Sequence, residues 1–280
     1  MTPLITPEEL HRRIADGASG LRILDVRWQL DKPEGREDCR AGHIPGAVYV
    51  DLGTELSEPG LPLTRGRHPL PSLTRLQAAA RRWGIHDGDT VVVYDAAGNT
   101  SAARAWWLLR STGVTDVRVL DGALAGWKAA GFELESGAVE PAEGTVTLTG
   151  DHLEQLDIDD VASFLQRGTL IDARAAERYR GEVEPLDPRP GHIPGALSIP
   201  TAGNLDDSGR FLAPEQLRER FLSHGVDPQR PTAAYCGSGV NACHALLALQ
   251  LAGFDAVLYP GSFSEWSRDP DRPVRTGESP

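Results

Sequence analysis

The chain repeats itself at long range. Leu24-Asp25-Val26-Arg27 returns as Ile171-Asp172-Ala173-Arg174, and Gly42-His43-Ile44-Pro45-Gly46-Ala47 returns as Gly191-His192-Ile193-Pro194-Gly195-Ala196. Val92-Val93-Tyr94-Asp95 returns as Ala233-Ala234-Tyr235-Cys236, and Asp121-Gly122 with Trp127 returns as Pro260-Gly261 with Trp266. The four matches keep their order, at offsets of 147, 149, 141 and 139 residues. A period this long marks a duplicated domain, not a solenoid. A length of 280 residues also suits two domains. The first is expected at residues 1–140 and the second at 153–280. The linker, 141–152, lies in a stretch rich in Gly, Glu, Ala and Thr without helical periodicity.

Each copy alternates strands and helices. In the first, Arg22–Val26, Thr90–Tyr94 and Val117–Leu120 read as strands, and Leu73–Trp83 and Ser101–Ser111 as helices. In the second, Leu170–Ala173, Ala233–Tyr235 and Ala256–Leu258 read as strands, and Glu215–Ser223 and Ala242–Leu251 as helices. The strands are short apolar runs without alternation, as in a sheet buried on both faces. The expected fold is α/β, with a mostly parallel sheet flanked by helices in each copy.

Forty acidic residues against 28 basic ones leave a net charge of −12. That argues against nucleic acid or an anionic membrane surface as the main partner. No apolar run approaches the ~20 residues of a membrane helix, and the first residues lack the basic and apolar regions of a signal peptide. Cys39, Cys236 and Cys243 form no disulfide framework and no C-x-x-C pair. A reducing compartment, the cytoplasm, is expected.

Cys236 stands apart from the other two thiols. It ends an apolar run, is followed by Gly237-Ser238-Gly239-Val240-Asn241, and leads into a helix from Ala242. Gly237 and Gly239 can take positive φ, so successive N–H groups can form an anion nest around the sulfur. The helix N-terminus adds positive potential. Both favour a nucleophilic thiolate. Cys39 and Cys243 have no such cradle and read as small buried hydrophobes. Asp95 occupies the matching position of the first copy, and Asp95-Ala96-Ala97-Gly98-Asn99-Thr100 lacks Gly-x-Gly. The first copy is therefore expected to be catalytically silent, without converging N–H donors.

Other readings fall away. His43 and His192 occur in both copies, which fits a shared turn better than catalysis. Cys236, Cys243 and His244 do not have zinc spacing, so no metal is expected. A cysteine phosphatase needs Cys-x5-Arg, and the sixth residue after Cys236 is Ala242.

These motifs resemble the tandem rhodanese sulfurtransferases, over nearly the whole chain, from Leu24-Asp25-Val26-Arg27 to Gly261-Ser262-Phe263-Ser264-Glu265-Trp266. The resemblance implies two rhodanese-like domains, the second catalytic. It implies that Cys236 takes a sulfane sulfur from a small anionic donor and becomes a persulfide. Cyanide, a thiol or a thioredoxin-like protein would accept the sulfur, without a cofactor. Gly237, Ser238, Gly239, Val240, Asn241 and Ala242 would line the substrate. Cys236-Gly237-Ser238-Gly239-Val240-Asn241 resembles the loop of members that use 3-mercaptopyruvate, with Asn241 in place of threonine. The more basic loop of thiosulfate users is absent, so no positive side chain is expected beside Cys236. The resemblance also implies that Arg178 binds the donor carboxylate, with Arg189 as a second clamp and His68 as the partner of Ser238. Gly53 stands where an acid would complete that pair. A persulfide carrier with poor turnover of small donors would show the same loop.

Overall fold

A computed structural model describes residues 2–30, 32–150 and 153–280. By internal contacts the chain divides into two units. One comprises Met1–Glu58, Leu70–Leu153 and Asp206–Phe211, and the other Pro59–Pro69, Glu154–Leu205 and Leu212–Pro280. The second unit thus includes a strap, Pro59–Pro69, taken from the first half of the sequence.

In the first unit the strands are β1 (Leu4–Ile5), β2 (Leu21–Asp25), β3 (Ala47–Tyr49), β4 (Thr90–Tyr94) and β5 (Asp116–Leu120). They form one sheet in the order β1-β5-β4-β2-β3, and every pairing is parallel. In the second unit β6 (Thr169–Asp172), β7 (Leu197–Ser198), β8 (Thr232–Tyr235) and β9 (Ala256–Leu258) form a parallel sheet in the order β7-β6-β8-β9. The α/β class and the parallel sheets are as expected. Val91, Val92 and Val93 are wholly buried, which explains the unalternating run. β1, β3 and β7 were not expected; β1 and β7 have only two residues each, too few to carry a sequence signal.

Helix starts follow local chemistry. Thr6 caps Pro7–Ala15 by accepting from Glu9 N–H at 3.2 Å, with proline in the first turn. Ser72 caps Leu73–Arg82 in the same way. Among the described residues, no helix is long and apolar enough to cross a membrane.

The repeated motifs interlock identically in both units. His43 Nδ1 meets the Cys39 carbonyl at 2.8 Å, and His192 Nδ1 meets that of Tyr179 at 2.8 Å. Ile44 N–H donates to the Tyr94 hydroxyl and Ile193 N–H to that of Tyr235, each at 3.1 Å. Arg27 pairs with Asp25, and Arg174 with Asp172, beneath the same turn. Both histidines are buried and hold main chain. Apolar cores built on Ile23, Val92 and Trp127, and on Leu170, Tyr235 and Trp266, lie beside these networks.

The expected linker is ordered along the first unit. Gly144 and Val146 donate to the carbonyls of Arg81 and Ile85 at 2.8 and 3.1 Å, and Val146 and Leu148 are buried. Its last two residues, Asp151 and His152, lie outside the described residues.

Candidate active site

β8 is buried along its length and carries Cys236 at its carboxyl end, where ligands of parallel α/β sheets bind. The loop then runs directly into helix Asn241–Leu251, whose first turn contains Ala242. Three main-chain bonds hold the loop. Cys236 N–H donates to Ser262 Oγ at 3.1 Å. The carbonyls of Cys236 and Gly237 accept from Phe263 and Ser264 N–H, each at 2.9 Å. Ser262, at φ 54°, holds a left-handed conformation unusual for a residue with a side chain. Cys236 is 3% exposed, and Ser238, Val240 and Ala242 are buried with it.

The two loop glycines serve different ends, which corrects the expectation of positive φ at both. Only Gly239 is left-handed, at φ 77°, followed by Val240 at φ −84°. That alternation of sign is the backbone of an anion nest. Gly237 is needed for space. A Cβ there would lie 2.8 Å from Arg67 Nη2 and 3.3 Å from Arg178 Nη1.

The loop's own neutral side chains do not leave Cys236 without cations. Two guanidinium groups lie over Gly237, and both are held by Asp187, whose side chain is fully buried. Arg67 Nη1 pairs with Asp187 Oδ1, and Arg178 Nη2 reaches Asp187 Oδ2 at 3.3 Å and Glu184 Oε1 at 2.7 Å. Arg268 joins Asp187 at 3.2 Å. Arg178, expected here, is thus oriented by Glu184 and Asp187, not by its sequence neighbours Glu177 and Glu182. Burial lowers the Arg67 guanidinium below its usual range, while the charges of Asp187 and Cys236 oppose that shift. Arg67, Glu184 and Asp187 were not read from the sequence. For Arg67 the available signal was its position beside His68; Glu184 and Asp187 had none.

His68 Nδ1 lies 2.8 Å from Ser238 Oγ, so the expected pair is formed. The strap that carries Arg67 and His68 is fastened by Arg67 N–H donating to Ser264 Oγ at 3.1 Å. Gly53 lies in the short helix Leu52–Glu55, and the adjacent Asp51 caps that helix by accepting from Thr54 N–H at 2.9 Å. Arg189 is not brought to the loop as a clamp. Its guanidinium donates to the carbonyls of Trp266, Ser267, Asp269 and Arg272 at 2.6–3.1 Å, where it holds the chain after helix Ser262–Trp266.

The matching loop of the first unit overturns a second expectation. Converging N–H donors are present there. Asp95 Oδ1 accepts from Ala97 and Asn99 at 2.7 and 2.8 Å, and Oδ2 from Ser101 and Ala102 at 2.8 and 3.1 Å. Gly98 and Asn99, both at positive φ, supply the turn that Gly-x-Gly was expected to provide. Burial pushes the Asp95 carboxyl up, against the four amides that pull it down.

The other thiols lack these features. Burial, with Asp25 nearby, pushes Cys39 up to about 12. Cys39 borders a cavity of about 410 Å³ in the first unit, with Arg36, Arg40, His43 and Arg82, that includes none of the Cys236 loop. Cys243 is buried in helix Asn241–Leu251 and donates to the Gly239 carbonyl at 3.3 Å.

Residues 6–130 and 157–269 each match the Rhodanese-like domain family. The chain is 47% identical to SseB of Mycobacterium tuberculosis, provisionally named a thiosulfate sulfurtransferase, over 98% of this chain and 97% of that protein. It is 38% identical to the 3-mercaptopyruvate sulfurtransferase of Escherichia coli, over 91% and 92% of the two chains. The crystal structure of SseA from Escherichia coli, a 3-mercaptopyruvate sulfurtransferase, superposes with a TM-score of 0.83 at 35% identity, covering 94% of this chain and 99% of that one.

Proposed function

The chain belongs to the rhodanese-like domain family, and from that premise we propose that it is a sulfurtransferase that works through a persulfide on Cys236. The observation that carries this reading is the placement of that one thiol. It ends a buried strand, precedes a nest-forming turn, and lies beneath guanidinium groups that favour anions. Asp95 supports the reading by analogy. The corresponding loop of the first unit gathers four N–H groups around an anionic side chain. The matching amides at Ser238, Val240 and Ala242 would do the same for a thiolate or persulfide. The first half would then be catalytically silent and the second catalytic.

With 3-mercaptopyruvate as donor, the Cys236 thiolate attacks the thiol sulfur and the carbon–sulfur bond breaks. The electron pair leaves as the enolate of pyruvate, which takes up the proton that the thiol releases. Ser238 and His68, 2.8 Å apart, are placed to move that proton. Arg178 holds the donor carboxylate. Thiosulfate would be the other donor. An acceptor such as cyanide, a thiol or a thioredoxin-like protein then removes the outer sulfur and restores the thiolate. None of the three cysteines is in a disulfide, which suits a reducing compartment such as the cytoplasm.

The test is intact-mass spectrometry after donor treatment. Wild type should gain one sulfur and release it to cyanide through many turnovers. Cys236→Ser should remain folded, gain none and turn over neither donor. Sulfur on Cys39 or Cys243 would refute the assignment. A wild type that loads once and stops would make the protein a carrier.

A further inference from the structure

We propose that Arg67 is the donor-specificity residue of this site and that, with Arg178, it forms a clamp for the sulfonate of a dianionic donor such as thiosulfate. This rests on the sulfur-transfer reading above and assigns to Arg67 the choice between the two donors named there. The loop itself offers no charge, since Gly237, Ser238, Gly239, Val240 and Asn241 are all neutral. A dianion beside a thiolate needs more positive charge than a monocarboxylate does. The strap supplies it.

Three observations place the clamp. First, Arg67 Nη2 and Arg178 Nη1 both face Gly237, at 2.8 and 3.3 Å from the point a Cβ would occupy. Second, each arginine is anchored by a different nitrogen, Arg67 through Nη1 and Arg178 through Nη2, on the two oxygens of Asp187. The nitrogens that face the loop are left over from that anchoring. Third, Arg67 Nε is buried without a hydrogen-bond partner among the described residues. A guanidinium with a buried unmet donor beside a reactive sulfur is suited to a ligand anion.

The local charge agrees. Arg67, Arg178 and Arg268 face Asp187 and Glu184, while Arg174 is largely matched by Asp172. Cations are thus in excess beside the loop, in a chain that is otherwise acidic. In the step itself, the Cys236 thiolate attacks the outer sulfur of thiosulfate. The sulfur–sulfur bond breaks, its electron pair leaves with sulfite as a dianion, and Cys236 keeps the outer sulfur as an anionic persulfide. No proton moves, so His68 and Ser238 are not needed for this donor. The negative charge accumulating on the departing sulfonate is what the two guanidinium groups would stabilise.

The experiment compares wild type, Arg67→Ala, Arg67→Lys and Arg178→Ala, with both donors and cyanide as acceptor, at constant ionic strength. Arg67→Ala should lower kcat/KM for thiosulfate by tenfold or more and that for 3-mercaptopyruvate by less than about threefold, a charge-assisted contact being worth roughly a tenfold change or more. Arg67→Lys should recover part of the thiosulfate activity, because charge returns without the planar geometry. Arg178→Ala should lower both donors. Sulfate, a dianion that cannot donate sulfur, should inhibit wild type competitively against 3-mercaptopyruvate and Arg67→Ala at least fivefold more weakly. An equal fall for both donors, an unchanged thiosulfate rate or unchanged sulfate inhibition would overturn the proposal. So would a wild type that cannot use thiosulfate. Sulfur loading of Cys236 by 3-mercaptopyruvate in that last case would leave the sulfur-transfer reading standing.

Discussion

At the scale of single residues, Gly237 is informative because its role differs from the one its type suggests. A glycine after a reactive cysteine invites an argument from φ, yet what matters at 237 is the missing Cβ. Gly237→Ala would push a methyl group to 2.8 Å from Arg67 Nη2, closer than packed atoms tolerate. The obstructing group is the end of a flexible side chain, so the clash is relieved by moving the arginine and not the sheet. The variant should therefore cost less than about 1 kcal/mol in stability while lowering kcat/KM for thiosulfate about tenfold, and for 3-mercaptopyruvate less, through misplacement of the clamp. Thermal melts alongside steady-state kinetics would check this. Full activity would show that the arginines need not sit where they do. The same geometry argues against testing donor preference by inserting basic side chains at 237, since Arg67 and Arg178 already fill that space.

At the scale of elements, the strand–loop–helix that carries Cys236 occurs twice, once with a thiol and once with a carboxylate. Asp95 shows what such a loop gathers, namely backbone N–H groups around an anion. It also shows what the carboxylate does in the first unit, where it satisfies four amides that burial would otherwise leave unpaired. An unmet buried donor costs about 1–3 kcal/mol. Asp95→Ala should thus destabilise the protein by more than about 3 kcal/mol, seen as a lower urea midpoint. A variant as stable as wild type would mean the loop rearranges and the nest is not built around the carboxylate. The two loops differ in the group at the centre and also in backbone, since Asn99 has a positive φ whereas Val240, at the matching position, lies at −84°.

At the scale of the whole molecule, the contact-defined units do not follow the order of the chain. The strap Pro59–Pro69 falls between β3 and β4 of the first sheet in sequence but belongs to the second unit, where it carries Arg67 and His68 to the Cys236 loop. Cutting the chain at the repeat boundary separates these residues from the thiol. A fragment of residues 153–280 keeps Cys236, Ser238 and Arg178 but should turn over 3-mercaptopyruvate at least a hundredfold more slowly than the full chain, having lost a proton carrier, and thiosulfate at least tenfold more slowly, having lost a cation. A fragment of residues 1–140 should show no turnover. Rates and sulfur loading measured on both fragments, with circular dichroism to confirm folding, would decide this. A folded second fragment as active as the whole would remove the strap from the chemistry.

Much of this protein could be read from its sequence because the relevant physics is local. Buried parallel strands require unbroken apolar runs, and β4, β8 and β9 were read within a residue of their ends. The duplicated motifs, the Cys236 loop and the role of the two histidines in a turn rest on residues close together in the chain. Beyond Arg178, only tertiary structure decided the charge around the thiol. Asp187 has no motif, yet it is the anchor on which Arg67, Arg178 and Arg268 converge from three distant segments. The Asp95 nest was missed because backbone amides carry no sequence signature, and Gly98 and Asn99 could supply the turn without the expected pattern. Electrostatics sums over neighbours in space, and folding makes neighbours of residues that the chain keeps far apart.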